Sequence, residues 1–239
     1  MDIDPQRPVA VKHLPWKKIL FILLAIHALV VGFSLVSPLL TGMPRGQTQF
    51  SVYFDVNYEG NFPTWWSVVQ LSGATVFLAI TACFAWYSRS RGWIAWSALA
   101  ALMLVLNLDE GTWLHERFDQ IALHIVDVQD FTFVWLIFGI PLALIILVVS
   151  CISARHLPLL ARKLVLAGFV TLMFAAVGME LIAGSFIQAG TSTVWIALSY
   201  HLEEFLELAA VALILVAPLT AYRLRPTMDG VSLQLEPKT

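Results

Sequence analysis

The chain has 239 residues, of which 59% are hydrophobic and only 13% charged, with a mean hydropathy of +0.80. A soluble domain of that length needs far more polar surface, so the composition excludes a water-soluble globule and points to an all-α integral membrane protein. The formal net charge of −2 comes with no basic tract, which leaves nucleic acid out as a partner.

Hydropathy predicts a single domain over residues 1–239, a bundle of six transmembrane helices with short, weakly structured tails at Met1–Pro15 and Pro226–Thr239. A helix needs about 20 apolar residues to cross a bilayer. The six candidate spans are approximately Ile19–Leu40, Thr64–Tyr87, Trp93–Phe118, Phe131–Ser153, Leu164–Gln188 and Thr193–Tyr222. The first is too long, and has too many followers, for a simple cleaved signal. Lys12, Lys17 and Lys18 precede it, and Arg89, Arg91, Arg155, Arg162, Lys163, Arg223 and Arg225 fall on the same side. The opposite loops are poor in Lys and Arg, so both termini are predicted cytosolic.

Trp65, Trp66, Trp93, Trp96 and Trp195 fall near span ends, where an interfacial aromatic belt would place them. Pro141 is expected to kink the fourth span. Cys83 and Cys151 lie in apolar segments and read as buried, inert thiols. Two opposed groups of three helices formally permit an inverted repeat, but the likeness of His115-Glu116 to His201-Leu202-Glu203-Glu204 is better read as coincidence.

The first loop on the outer side contains Phe54-Asp55-Val56-Asn57-Tyr58-Glu59-Gly60-Asn61-Phe62-Pro63-Thr64-Trp65-Trp66-Ser67. Pro63 makes an ordinary helix entry. The acidic turn before it is expected either to be solvated or to fold over a cavity with Glu59 and Asn61 facing inward.

The third span carries Leu108-Asp109-Glu110-Gly111-Thr112-Trp113-Leu114-His115-Glu116-Arg117-Phe118-Asp119 without a turn signal. On one continuous helix Asp109, Thr112, His115, Glu116 and Asp119 share roughly a third of the circumference. Glu180 stands alone in the apolar fifth span, and the sixth brings His201, Glu203, Glu204 and Glu207. Asp109, Glu180 and His201 all lie roughly 12–14 Å below the outer ends of their spans, at 1.5 Å per residue. Ionisable groups at membrane depth usually face a bundle interior or a water-filled cavity and mark function.

The outer half of the spans has one fixed cation, Arg117, against seven carboxylates, so these must protonate in part or share a bound cation. Asp109, His115, Glu116, Glu180, His201 and Glu204 are accordingly predicted to converge on a divalent metal, with iron, zinc or manganese ahead of copper. Glu110 and Glu207 lie further off the shared faces and are expected to orient a ligating imidazole. The facing carboxylates and histidines have the ingredients of a di-iron site, although no Glu-x-x-His occurs. Proton-sharing carboxylates without metal, or a purely structural network, are the alternatives.

Several chemistries fall away. His115-Glu116-Arg117-Phe118-Asp119 has Asp where a zincin has its second His. There is no Gly-x-Ser-x-Gly elbow, no phosphate-binding glycine loop and no set of His-x-x-x-His boxes. His27 paired with His201 is a weak haem candidate, the plainer role for His27 being a hydrogen bond to a backbone carbonyl. His124 and Asp127 read as solvated.

Glu-Gly-Asn-Phe-Pro-Thr-Trp-Trp-Ser followed by Leu-Asp-Glu-x-x-x-x-His-Glu resembles a family of small polytopic bacterial membrane proteins with no known reaction. The resemblance implies a multi-pass protein of the bacterial plasma membrane and singles out Glu59, Asn61, Pro63, Asp109, Glu110, His115 and Glu116. Three functions remain in view. The leading one is a metal-dependent hydrolase or oxidoreductase acting on a membrane lipid or other lipophilic substrate, with Glu116 or Glu204 as general base. The second is a proton- or cation-coupled carrier or channel, disfavoured by the apolar inner stretches Gly168–Ala176 and Ala209–Ala217. The third is a non-catalytic subunit that binds another membrane protein.

Overall fold

A computed structural model of the chain describes residues 12–125, 133–227 and 230–235. Its elements run β1 (Lys12–His13), α1 (Trp16–Thr41), α2 (Gln49–Phe54), α3 (Phe62–Tyr87), α4 (Trp93–Thr112), α5 (Leu114–Ile125), α6 (Leu136–Ala154), α7 (Leu159–Met173), a π-helical segment (Phe174–Met179), α8 (Glu180–Gln188), α9 (Thr193–Thr220), β2 (Tyr222–Thr227) and β3 (Gly230–Leu235). Five helical units are long and apolar enough to cross a membrane: α1, α3, α4, α6 and the continuous stretch Leu159–Gln188.

The polarity of these helices is reversed relative to a soluble bundle. The buried stripe of α1 is His27, Val30, Ser34 and Ser37, while Phe21, Leu29 and Leu39 are more than 70% exposed. Large apolar side chains that face outward on every long helix fit a lipid surround, and the shared interior is left to small and polar groups. α9 runs through the middle and packs against α1, α3 and α7. From Ala210 to Ala217 its residues join the core cluster with Leu78 and Leu99 from α3 and α4 and with Phe169 from α7.

Five expectations need correction. The fold is not purely helical: β1, β2 and β3 form an antiparallel sheet, with Lys12 opposite Leu224 and Tyr222 opposite Leu235. β1 pairs with Arg223 and Leu224, and β2 and β3 pair within the C-terminal tail, so Lys12–His13, Pro226–Thr227 and Gly230–Leu235 are structured. The third apolar run does not continue as one helix to Phe118, because Trp113 adopts a left-handed conformation (φ 55°, ψ 45°) that ends α4. Cys83 and Cys151 are exposed rather than buried, since both point away from the bundle. Trp65, Trp93 and Trp195 are exposed near helix ends, but Trp96 is 1% exposed and belongs to the core.

α7 and α9 approach each other closely at Gly168. A Cβ on Gly168 would stand 2.9 Å from the carbonyl oxygen of Ala210 and would meet the Ile214 side chain, so only glycine permits this contact. Gly32 in α1 has nothing within 4 Å of the same position. Gly168→Ala is therefore expected to destabilise the protein by about 1–3 kcal/mol, whereas Gly32→Ala should leave it unchanged or raise stability by up to about 1 kcal/mol. Thermal melting of both variants in detergent checks the contrast, and equal behaviour would remove the case for close α7–α9 packing.

Candidate functional site

The functional region is built at the end of the bundle away from the sheet. The α3–α4 and α6–α7 connections lie at the sheet end, whereas α2, α5 and the α8–α9 turn lie at the other. Between these helices is a cavity of about 160 Å³. Glu59, from the turn before α3, and Asp109 and Glu110, from the last turn of α4, line one side. His115 of α5, Trp135 before α6 and Glu180 of α8 line another, and Glu203, Glu204 and Glu207 of α9 complete it. Leu71, Leu172, Met173 and Val211 form its apolar floor.

Asp109 organises the rim. Its backbone oxygen accepts the N–H of Trp113, at the left-handed residue that closes α4. Its carboxylate then accepts the backbone N–H of His115 at 2.8 Å and the ring Nδ1–H of His115 at 3.1 Å. One side chain thereby satisfies a donor in the first turn of α5 and fixes the imidazole. Burial opposes the charged form of His115, but the hydrogen bond and charge of Asp109, with Glu59 and Glu180 beyond, hold its pKa up at about 9. The indole of Trp113 lies against Gly60, where a Cβ would be 2.8 Å from the ring, and Gly60 has φ +73°. The turn carrying Glu59 is thus packed onto the helix break.

Glu180 comes directly after the π-helical segment. Such a segment adds a residue to the helical repeat, changes the phase of the helix beyond it and is frequent at functional sites. Here it leaves Met173, Ala176 and Glu180 on the cavity wall. Trp135 donates its indole N–H to Glu180 Oε2 at 2.6 Å, with its ring centroid 5.5 Å from that of His115. The ring folds back over Gly139, where no Cβ would fit.

His201 is not part of this cavity, contrary to the expectation that it joins Asp109 and Glu180. It faces α1 and donates Nδ1–H to the Ala197 carbonyl at 2.7 Å, which leaves Nε2 to accept from Ser34 Oγ and Arg45, each at 3.0 Å. Asp55, 1% exposed, receives the Asn57 N–H at 3.1 Å and pairs with Arg45 at 3.7 Å, while the Val56 N–H donates to Ser34 Oγ. Ser34, Arg45, Asp55 and His201 therefore form a separate polar lock that ties the α1–α3 connection to α1 and α9. Arg45 also adds a cation to this end beside Arg117.

Asn61 likewise stays out of the cavity. Its amide donates to the carbonyls of Asp55 at 2.6 Å and Val52 at 3.1 Å, and its oxygen caps α3 through the Thr64 N–H. Of the pair expected to face inward, only Glu59 does. Glu110 and Glu207, ranked lower on helical faces alone, line the cavity together with Glu203. The side chain of Glu116, expected as a ligand and base, lies outside the described residues, as does Asp127; His124 is exposed. His27 bonds Gln70 Oε1 through Nε2 at 2.8 Å rather than a backbone carbonyl. On α1, Ser34, which holds His201, is about 10 Å further along from His27, so the two imidazoles do not face one haem. Trp135, Arg45 and Asp55 went unnoticed in the sequence; a lone Arg in a loop poor in basic residues was the available signal for Arg45.

Among the described residues no three His, Cys, Asp or Glu side chains are grouped so as to hold a metal ion.

The Asp109–His115 contact carries a pH signature. Because the folded pKa of His115 is raised from 6.5 to about 9, its stabilisation is complete below pH 6.5 and is lost as pH rises through 9. The melting temperature of the native chain should exceed that of His115→Gln most at pH 6 and converge on it by pH 10. A gap that stays constant from pH 6 to 10 would contradict the pairing.

No curated protein and no solved structure matches the chain. Residues 20–221 match the family described as a domain of unknown function (DUF8692), and the chain belongs to that family.

Proposed function

We propose that the chain is an enzyme of the bacterial plasma membrane that uses the carboxylates of this cavity for acid–base chemistry on a lipophilic substrate entering from the outer leaflet. In this reading α9 is the sixth span and both termini are cytosolic. The basic residues support that orientation: Lys17, Lys18, Arg89, Arg91, Arg155, Arg162, Lys163, Arg223 and Arg225 lie at the sheet end, against Arg45 and Arg117 at the other.

One observation carries the functional reading. Seven carboxylates and His115 line a single cavity whose floor toward the sheet end is Leu71, Leu172, Met173 and Val211. Beyond that floor Ile214, Val216 and Ala217 are fully buried in the apolar core. A carrier needs a polar route to the opposite side, and a blind polar cavity suits a reaction better than passage. Glu204 shares the cavity with Glu110 and Glu203 and is the candidate general base, while Asp109 orients His115 at the rim as a proton donor.

Two measurements test the reading. With Cys83 and Cys151 replaced by alanine, a cysteine placed at Gly190 should react with an impermeant reagent from outside the cell, and reaction from the cytosolic side only would invert the topology. In vesicles of bacterial lipid extract, the native protein should deplete one lipid species by mass spectrometry. Glu204→Gln should slow that depletion by about 10²-fold or more. An unchanged lipid profile together with proton or cation flux would replace the enzyme by a carrier.

A further inference from the structure

A second polar group lies between α1 and α3, apart from the carboxylate cavity and from the lock around His201. α1 packs chiefly on α9 and reaches α3 through side chains. His27, near the middle of the 26-residue α1, is fully buried, and its Nε2 bonds Gln70 Oε1 of α3 at 2.8 Å. Trp66 stands four residues before Gln70, so indole and amide share a face of α3. Its ring centroid is 6.3 Å from that of His27, edge-on at 62°. Three nitrogens of this group are buried without a hydrogen-bond partner among the described residues: His27 Nδ1, Trp66 Nε1 and Gln70 Nε2.

The chemistry of those three atoms selects what can join them. With Nε2–H donated to Gln70, His27 Nδ1 is an acceptor, while the Trp66 indole and the Gln70 amide are donors. Turning the amide over and moving the ring proton to Nδ1 exchanges the roles of ring and amide but leaves the same three groups unmatched. Buried polar groups are almost always paired, by ordered water where protein partners run out. A ligand that serves this group must both donate and accept. A carbonyl only accepts and would leave Nδ1 unmatched, and a metal ion or ammonium would meet two N–H groups. A hydroxyl serves all three. The side chains of His27 and Gln70 are 0% and 2% exposed, out of reach of a hydroxyl carried on a lipid, and the smallest hydroxyl is water. Two bonds of about 2.8 Å let one water span about 5.6 Å, on the scale of the distance between the two rings.

We propose that His27, Trp66 and Gln70 hold an internal water between α1 and α3. The water donates to His27 Nδ1 and accepts from the Trp66 indole and the Gln70 amide, which uses both of its lone pairs. α1 and α3 are each long and apolar enough to cross a membrane, so this water ties them together at membrane depth. Ser67 and Leu71, the next residues on α3, line the carboxylate cavity. The site therefore lies one helix face round from the cavity, and it stands whether or not the cavity catalyses.

The test is proton-detected solid-state NMR of the full chain, deuterated and back-exchanged in ordinary water, in bilayers of perdeuterated lipid, with ¹⁵N in the Trp and Gln side chains. Polarisation from water should reach both the Trp66 indole and the Gln70 amide, whose signals are assigned by their loss in Trp66→Phe and Gln70→Leu. His27→Phe removes the acceptor and should abolish the transfer at the Gln70 amide. Transfer there that survives His27→Phe unchanged would overturn the proposal. The native spectrum decides the matter even if that variant does not fold: transfer to neither group, or to only one of the two, shows that no shared water is held. Transfer to both groups from lipid protons instead of water, in bilayers of protonated lipid, would give the site to a lipid hydroxyl and dismiss the internal water.

Discussion

Asp109 accepts three N–H groups, one from Trp113 on its backbone oxygen and two from His115 on its carboxylate. The arrangement of the cavity end depends on them. A left-handed tryptophan costs about 1–2 kcal/mol and exposes donors that a continuous helix would have satisfied internally. The carboxylate takes up the exposed donor at His115, so the chain can turn α5 out of line with α4 and set His115 over the cavity. The Trp113 ring then bears on Gly60, which brings Glu59 to the same rim. Without the Asp109 contacts the apolar run would have no reason to stop at Thr112, and His115 would continue along the α4 axis.

α9 divides the polar groups of this end between two neighbours. Successive residues turn by about 100°, so Glu203 and Glu207 are only about 40° apart, while His201 lies roughly 100° round from the middle of the glutamate group. The glutamates therefore meet α3, α4 and α8 at the cavity, and His201 meets Ser34 on α1. The lock around His201 is fully supplied with donors and acceptors, whereas Glu204 and Glu207 have none from the described residues. A buried polar network is stabilising when every member is satisfied and destabilising when it is not.

The apolar runs were readable because length and composition suffice to define a membrane-length helix. So was the shared depth of Asp109 and Glu180, which comes from a fixed rise per residue. The break at Trp113 was not readable, since Leu114–Ile125 has neither glycine nor proline and its stop is enforced by a side chain four residues upstream of the left-handed position. His201 misled for a related reason: spacings of three and six from Glu204 and Glu207 look like one face but drift by about 60° and 120°. Trp135 could not be placed because its reach to Glu180 depends on Gly139 and on the phase change of the π-helical segment, both tertiary matters. The β1–β2 pairing escaped notice because it joins residues about 210 positions apart, Lys12 and Leu224, whereas the β2–β3 pair is local and was passed over as a weakly structured tail.

Irregular backbone gathers where the carboxylates do. The left-handed Trp113, the positive-φ Gly60 and the π-helical turn before Glu180 all border the cavity. Strained conformations persist only where the rest of the structure over-determines them, and here the sheet-end half of the bundle does so. Gly168 lets α7 close on α9, and the run from Ala210 to Ala217 is buried among small and branched side chains. Backbone distortion at one end is thus held against a tightly packed, largely apolar half.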